Sequence, residues 1–365
     1  MLLVLCFTLT NLTKRRKSTE VEYRPSAMTL AYCSYLSWLR SLTMTRTTQD
    51  AEHQPVTCGS EHLRRDSFVL PALPRQLTPK LGIFRSLPQR QLRMIGPWCF
   101  LDHFGPVAPH DYQNFRVPPH PHIGLQTITW LLSGQLFHQD SLGYQQALRA
   151  GELNLMTAGN GIAHAEVADA QLDDPLHGLQ LWAALPEADE ATTARFDHYK
   201  KLPQFSLGDC RATLLLGEYA DDERRHQSPA IQFHPIFAMQ LTTPRVAVTE
   251  LKLNPEHEYG IYVVSGRVDT LDKTVQPHEL IYFGSDRKRV TIELAADTVA
   301  LVIGGEAFAQ PVHMWWNFVS SDAAAIRRAQ QEWNAGHPRF GTVSGYQGER
   351  LFAPELPYSG LEGND

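Results

Sequence analysis

Residues His120–Gln135 read HPHIGLQTITWLLSGQ. The run from Leu125 is rich in β-branched, aromatic and aliphatic side chains and stops at a Ser-Gly pair, the pattern of a strand entering a turn. The same texture runs outward from about Leu70, in LHGLQLWAAL, IQFHPIFAMQLTT, EYGIYVVSGRVDT and TVALVIGG, each cut by Gly, Pro or Asp. Many short strands with such punctuation predict an all-β sandwich or barrel. Two portions echo each other. LLSGQL at Leu131–Leu136 resembles VVSGRV at Val263–Val268, and GELNLMTAG at Gly151–Gly159 resembles HELIYFGS at His278–Ser285. Repeated turn chemistry at matching places implies one β-barrel plan used twice in tandem. A helical period appears only near the end, in SSDAAAIRRAQQEWNAG, where Ser320, Ser321 or Asp322 caps the start and Gly336 the end.

Composition bounds the function. The chain of 365 residues is 43% apolar, enough for a large core and long for one domain, so two are expected. A net charge of −6 argues against a polyanion-binding face and hence against direct nucleic-acid binding. Five scattered cysteines without a CxxC pair suggest neither a disulfide framework nor a thiolate zinc site, and fit a reducing, cytoplasmic compartment, or the nucleus in a eukaryote. The opening MLLVLCFTLTNLTKRRK is apolar for too few residues to span a bilayer, and its basic cluster follows the apolar run, unlike an export signal. Lys14–Lys17 reads as a solvated charge cluster. The polar stretch after residue 43 reads as linker, with Met44 a candidate start.

Side chains alternate faces along a strand, so His120 and His122 point to one side. Pro119 and Pro121 place them at the beginning or edge of a strand, where a missing N–H is tolerated. The same parity puts Gln126, Ile128, Trp130 and Leu132 on that face. A second pair, His164 and Glu166, follows in GELNLMTAGNGIAHAE, again at i and i+2. Three imidazoles and a carboxylate at a barrel mouth suit a divalent first-row metal.

HPHIGLQTITWLLSG, GELNLMTAGNGIAHAE, PLHGLQLWAAL and GGEAFAQPVHMWWNFV, in that order over roughly residues 70–335, together resemble the pirin family of bicupins. The resemblance implies two tandem cupin, jelly-roll-like β-barrels with a short C-terminal helix. It implies His120, His122, His164 and Glu166 as metal ligands, with Fe(II) foremost and other divalent first-row metals as alternatives. The domain boundaries expected are an ill-ordered N-terminal extension over 1–69, a metal-binding cupin over 70–205, a metal-free cupin over 206–335 and a tail over 336–365. One departure stands out: pirins commonly carry Glu four residues after the second histidine, and here that position is Gln126. Gln126 either lines the pocket without serving as a base or is a satisfied polar group of the barrel. In the second half NPEHEYGIYVVSG keeps only His257, and GSDRKRVTIE has no histidine, so this barrel is expected to bind no metal.

Asp102, His103, His110 and His138 are candidates for partners behind the ligands, or ordinary loop and strand residues. His177 and Trp182 read as core strand, and Trp315, Trp316 and Phe318 as packing against the helix. The resemblance implies a monomeric quercetin 2,3-dioxygenase-like oxidoreductase taking a flavonol and dioxygen, with Glu166 as ligand and proton acceptor. The other class it implies is an iron-dependent redox-responsive regulator that binds a protein partner.

Overall fold

The computed structural model describes residues 56–58, 67–78, 81–168, 173–221 and 223–356. The readings made of the first 55 residues, including Lys14–Lys17 and Met44, lie outside them. Most of the rest is built from strands that pair antiparallel in two equivalent sets, as the internal echo predicts. In the first barrel a seven-stranded sheet runs in the order Arg195–Tyr199, Leu153–Thr157, Leu125–Ser133, Leu176–Ala184, Trp98–Val107, Leu81–Leu87, Leu73–Thr78. It faces a four-stranded sheet ordered Arg116–His122, Ile162–Ala168, Gln135–Asp140, Gln145–Arg149. The second barrel repeats the seven-plus-four plan: Gln204–Leu207, Cys210–Leu216, Ile236–Thr243, Thr298–Glu306, His257–Ser265, Glu279–Gly284 and Phe68–Pro71 face Ala247–Lys252, Arg289–Leu294, Val268–Thr270 and Lys273–Val275.

The echoed turns superpose in conformation as well as in sequence. Gly134 and Gly266 take φ of +76° and +77°, and Gly151 and His278 take +80° and +65°. The left-handed region is open to glycine and strained for a β-carbon, so the Ser-Gly turn is a requirement of the hairpin that each copy meets in the same way.

The two seven-stranded sheets pack back to back. Ile128, Trp130, Leu153, Leu155, Leu179 and Leu181 of the first meet Leu216, Ala238, Tyr262, Val264, Leu280 and Leu301 of the second in one buried cluster. Polar atoms caught there are paired: the Trp98 indole N–H lies 3.1 Å from the Phe237 carbonyl and 3.0 Å from that of Gly304, and the Trp130 N–H donates to Gln240 Oε1 at 2.7 Å.

Inside the barrels the copies differ. The second is filled by a continuous apolar set including Met239, Leu241, Ile261, Val263, Phe283, Ile292 and Val302. The first has separate clusters, around Phe104, Phe115 and Leu136 and around Phe100, Met156 and Trp182.

The chain ends cross over. Phe68–Pro71 extends the sheet of the second barrel by pairing with Glu279–Tyr282. Phe318–Ser320 returns to the first, where Val319 N–H donates to the Ile123 carbonyl at 3.2 Å. The helix Ala323–Asn334 begins at Asp322, whose carboxylate accepts from Ala324 N–H at 2.8 Å, and is followed by Gly336 at φ +75°. Its Ile326, Ala329 and Trp333 pack with Trp315, Phe318 and Phe340. No helix among the described residues is long and apolar enough to cross a membrane.

A β-carbon on Gly266 would lie 2.2 Å from Thr298 Oγ1 and 2.6 Å from its Cα, whereas one on Gly151 meets open space. Both substitutions to Ala incur the left-handed cost of roughly 1–2 kcal/mol. Gly266→Ala adds overpacking of about 1–3 kcal/mol, so its urea midpoint should fall clearly below that of Gly151→Ala. Equal midpoints would mean that Thr298 gives way to the added β-carbon without cost.

Candidate metal centre

His120 and His122 lie on Arg116–His122, an outer strand of the four-stranded sheet, as the flanking prolines predict. Pro118, Pro119 and Pro121 have no N–H to give, and an edge needs none on its open side. The neighbouring strand Ile162–Ala168 brings His164 opposite His120. The register then shifts before Glu166, which pairs with Val117. All four side chains point into the first barrel and line a cavity of about 260 Å³.

The hydrogen bonds of these rings fix where their protons sit. His120 Nδ1 is 2.8 Å from the Pro118 carbonyl, and His122 Nδ1 is 3.0 Å from that of Asn317. A carbonyl only accepts, so both δ-nitrogens carry the proton and both ε-nitrogens present lone pairs. His122 Nε2 lies 3.1 Å from His164 Nε2. The donor atoms of His120, His122 and His164 all fall within 4.8 Å of one another.

All three rings are buried and are held in the neutral form. Burial is the main cause for each: His120 is lowered to about 4, while His122 and His164 fall well below their ordinary 6.5, with further lowering by the neighbouring imidazoles. Converging neutral imidazoles are the donor set a divalent cation takes, and two nitrogens each about 2.1 Å from one ion stand roughly this far apart. The residues present fit a metal.

Glu166 is on the same wall but in a second grouping, with its carboxylate within 4.8 Å of His164 and His138 donor atoms. Burial raises its pKa from 4.5 to about 7, opposed by the Thr129 hydroxyl 3.4 Å away. That hydroxyl also lies 2.9 Å from Gln180 Oε1. The cavity walls are aromatic and mixed. Phe100 stacks on Trp182 at 3.9 Å, Trp182 meets His122 edge-on at 5.0 Å, and Trp316, Leu351 and Leu77 also line the cavity. Arg85 forks onto Asp102 through two 2.8 Å bonds, with its guanidinium 4.5 Å from the Phe100 ring centre.

The parity expected from His120 does not run through to Leu132. Ile123 and Gly124, the latter at φ +66°, break the strand, and Leu125–Ser133 belongs to the opposite sheet. Ile128 and Trp130 therefore face the second barrel. Gln126 is buried with its amide donating to Thr157 Oγ1 at 3.0 Å, and it is a satisfied polar group and not part of the cavity wall.

Of the four candidates for a supporting role, Asp102 lines the cavity and His138 lies behind His164, 3.4 Å between their δ-nitrogens. His103 points to the other face, toward Tyr262 and His177, and His110 is exposed beside Asp111. Trp182 is core and cavity wall at once. Trp316 and Asn317, read as packing or passed over, form a turn at the site, and Trp316 takes φ +53°. A non-glycine residue there marks a backbone held by its surroundings.

Two β-barrels in one chain, one hollow with converging imidazoles and one filled, define a bicupin with a single candidate metal centre among the described residues. The Pirin family model matches residues 80–183, and that of the Pirin C-terminal cupin domain matches 238–341. The chain belongs to the pirin family. It is 39% identical over 280 residues to a Pseudomonas aeruginosa protein provisionally named a quercetin 2,3-dioxygenase, covering 76% of this chain and 87% of that one. A pirin-like protein of Caulobacter vibrioides is 33% identical, with 74% and 93% covered. The crystal structure of quercetin 2,3-dioxygenase from Acinetobacter baumannii aligns with a TM-score of 0.76 at 37% identity, covering 80% of this chain and 96% of that one.

Buried neutral imidazoles tie stability to pH. The folded chain binds fewer protons than the unfolded one below 6.5 at His103, His120, His122 and His164, so stability falls as pH drops through this range toward about 4. Glu166 works oppositely between about 7 and 4.5, where the folded state holds the extra proton. His177, His198, His257 and His278, also lowered by burial, add to the loss, and Glu258, raised by burial, joins Glu166, so the imidazoles outnumber the carboxylates and give a net loss. Chelator-treated protein should show a Tm that declines from pH 6.5 to 4, and His164→Leu should flatten that slope; parallel slopes would remove His164 from the account.

Proposed function

We propose that the protein is an Fe(II)-dependent dioxygenase that opens the ring of a flavonol or a related hydroxylated aromatic. The observation that carries this reading is the set of three converging, neutral imidazoles at the wall of a cavity sided by Phe100, Trp182 and Trp316. The names of the relatives at 39% and 37% identity support it. His120, His122 and His164 would hold the metal, with Glu166 beside them as a further ligand. Iron, when bound, supplies a redox-active centre that brings dioxygen and an oxygen of the substrate together.

The chain's own groups do the rest. Phe100 and Trp182 offer flat apolar faces to the rings of the substrate, and Trp316 and Leu351 close the outer side against water. Gln180 and the Arg85–Asp102 fork give hydroxyl groups fixed partners, which sets orientation. Glu166 takes the proton of the reacting hydroxyl at a carboxylate oxygen.

Oxygen uptake by Fe(II)-reconstituted protein with quercetin is the test, beside His164→Ala. Wild-type turnover that vanishes with His164 is expected. Full iron occupancy without uptake would overturn the dioxygenase reading in favour of an iron-dependent regulator with a protein partner. Metal content gives a second check: His122→Ala and His164→Ala should lose most of the wild-type metal, and His257→Ala should retain all of it. Iron lost on replacing His257 would relocate the centre.

A further inference from the structure

Behind His164 runs a chain of hydrogen bonds that ends on a buried carboxylate. His164 Nδ1 lies 3.4 Å from His138 Nδ1, and His138 Nε2 lies 3.0 Å from Asp140 Oδ2. The other oxygen, Asp140 Oδ1, accepts the backbone N–H groups of Leu142 at 2.9 Å and Tyr144 at 3.0 Å. Asp140 is fully buried, His138 is 3% exposed and His164 is 1% exposed. Strand pairing sets these three in place, since His164 lies opposite Asp140 and Glu166 opposite His138. His138 is further held by stacking on Phe196, 4.3 Å between ring centres.

With all the rings neutral and Asp140 ionised, proton bookkeeping along this chain has one solution. The carboxylate only accepts, so His138 carries its proton on Nε2 and shows a lone pair at Nδ1. That lone pair faces His164 Nδ1, which therefore carries a proton and leaves Nε2 bare. We propose that Asp140 and His138 are positioning residues that set the tautomer of His164 and thereby make its ε-nitrogen available to the metal. The inference rests on the reading of His164 as a ligand. It also separates His164 from the other two imidazoles: His120 and His122 lean on neutral carbonyls, whereas His164 leans, through a second ring, on an anion. Such support raises the basicity of the ring it reaches.

The isosteric change Asp140→Asn inverts the chain. The two backbone N–H groups keep the side-chain oxygen on their side, so the amide N–H₂ faces His138. Donor then meets donor unless His138 moves its proton to Nδ1. That proton in turn faces His164 Nδ1, which must give up its own and protonate Nε2, the atom the metal needs. A substitution that alters no ligand and no volume thus blocks the site from two residues away.

Long-range proton–nitrogen correlation spectra of the histidine rings in metal-free protein read the tautomers directly. The wild type should show His164 protonated on Nδ1 and His138 on Nε2, and Asp140→Asn should show both reversed. Competition with a chromophoric chelator should show cobalt(II) binding weakened by about 10–100-fold in Asp140→Asn. His138→Phe removes the acceptor, adds no donor and keeps the stacking on Phe196, so it should bind cobalt(II) more tightly than Asp140→Asn does. Unchanged tautomers, or an Asp140→Asn affinity within twofold of wild type, would overturn the proposal. Complete loss of cobalt in His138→Phe would do so too, by making His138 a ligand. Wild-type protein with the expected tautomers that takes up no cobalt would uphold the chain and refute the metal reading.

Discussion

Everything in this molecule leans on the apolar layer between the two seven-stranded sheets. The central strands of those sheets are covered on both sides, by their own barrel within and by the other barrel without, so alternate residues sort into two different cores. Ile128 and Trp130 go outward to the neighbour, while Thr129 and Leu131 go inward. Burial of apolar area is the main favourable term in folding, and here one barrel receives part of it from the other. That is the physical licence for a hollow. The second barrel fills its interior with aliphatic and aromatic side chains, and the first keeps a cavity walled by buried histidines and aromatic rings.

Much of this was legible in the sequence. The Ser-Gly turns at Gly134 and Gly266 announce a repeated hairpin because only a particular backbone conformation makes that hairpin, and it favours glycine. Proline beside each of His120 and His122 announces an edge because proline cannot pair on both sides. Asp322 and Gly336 bracket the helix for reasons local to its ends. In each case the cause lies within a few residues of the effect.

What the sequence hid depends on tertiary placement. Nothing near Gln126 says that the chain changes sheets at Gly124, so parity counted from His122 assigns Gln126, Ile128 and Trp130 to the wrong face. Asn317 serves through its carbonyl, which every residue has, so no side-chain pattern singles it out. Trp316 reads as one more aromatic near a helix until the turn brings it to the cavity. His138 looks like an ordinary strand histidine, and its meaning comes from the register that sets Glu166 opposite it and Asp140 opposite His164. The proton positions follow from the acceptors and from no single motif.

The crossing of the chain ends bears on how such a protein can be cut or rebuilt. Phe68–Pro71 belongs to the sheet of the later barrel, and Phe318–Ser320 to the surroundings of the earlier one. The two halves hold each other as clasped hands do, each with a finger behind the other's palm. A gene fragment ending between them would encode neither barrel whole: the first would lack the carbonyl of Asn317 that orients His122, and the second would lack its outermost strand. The metal centre, though every proposed ligand lies between residues 120 and 166, is in this sense completed only when the last third of the chain has arrived.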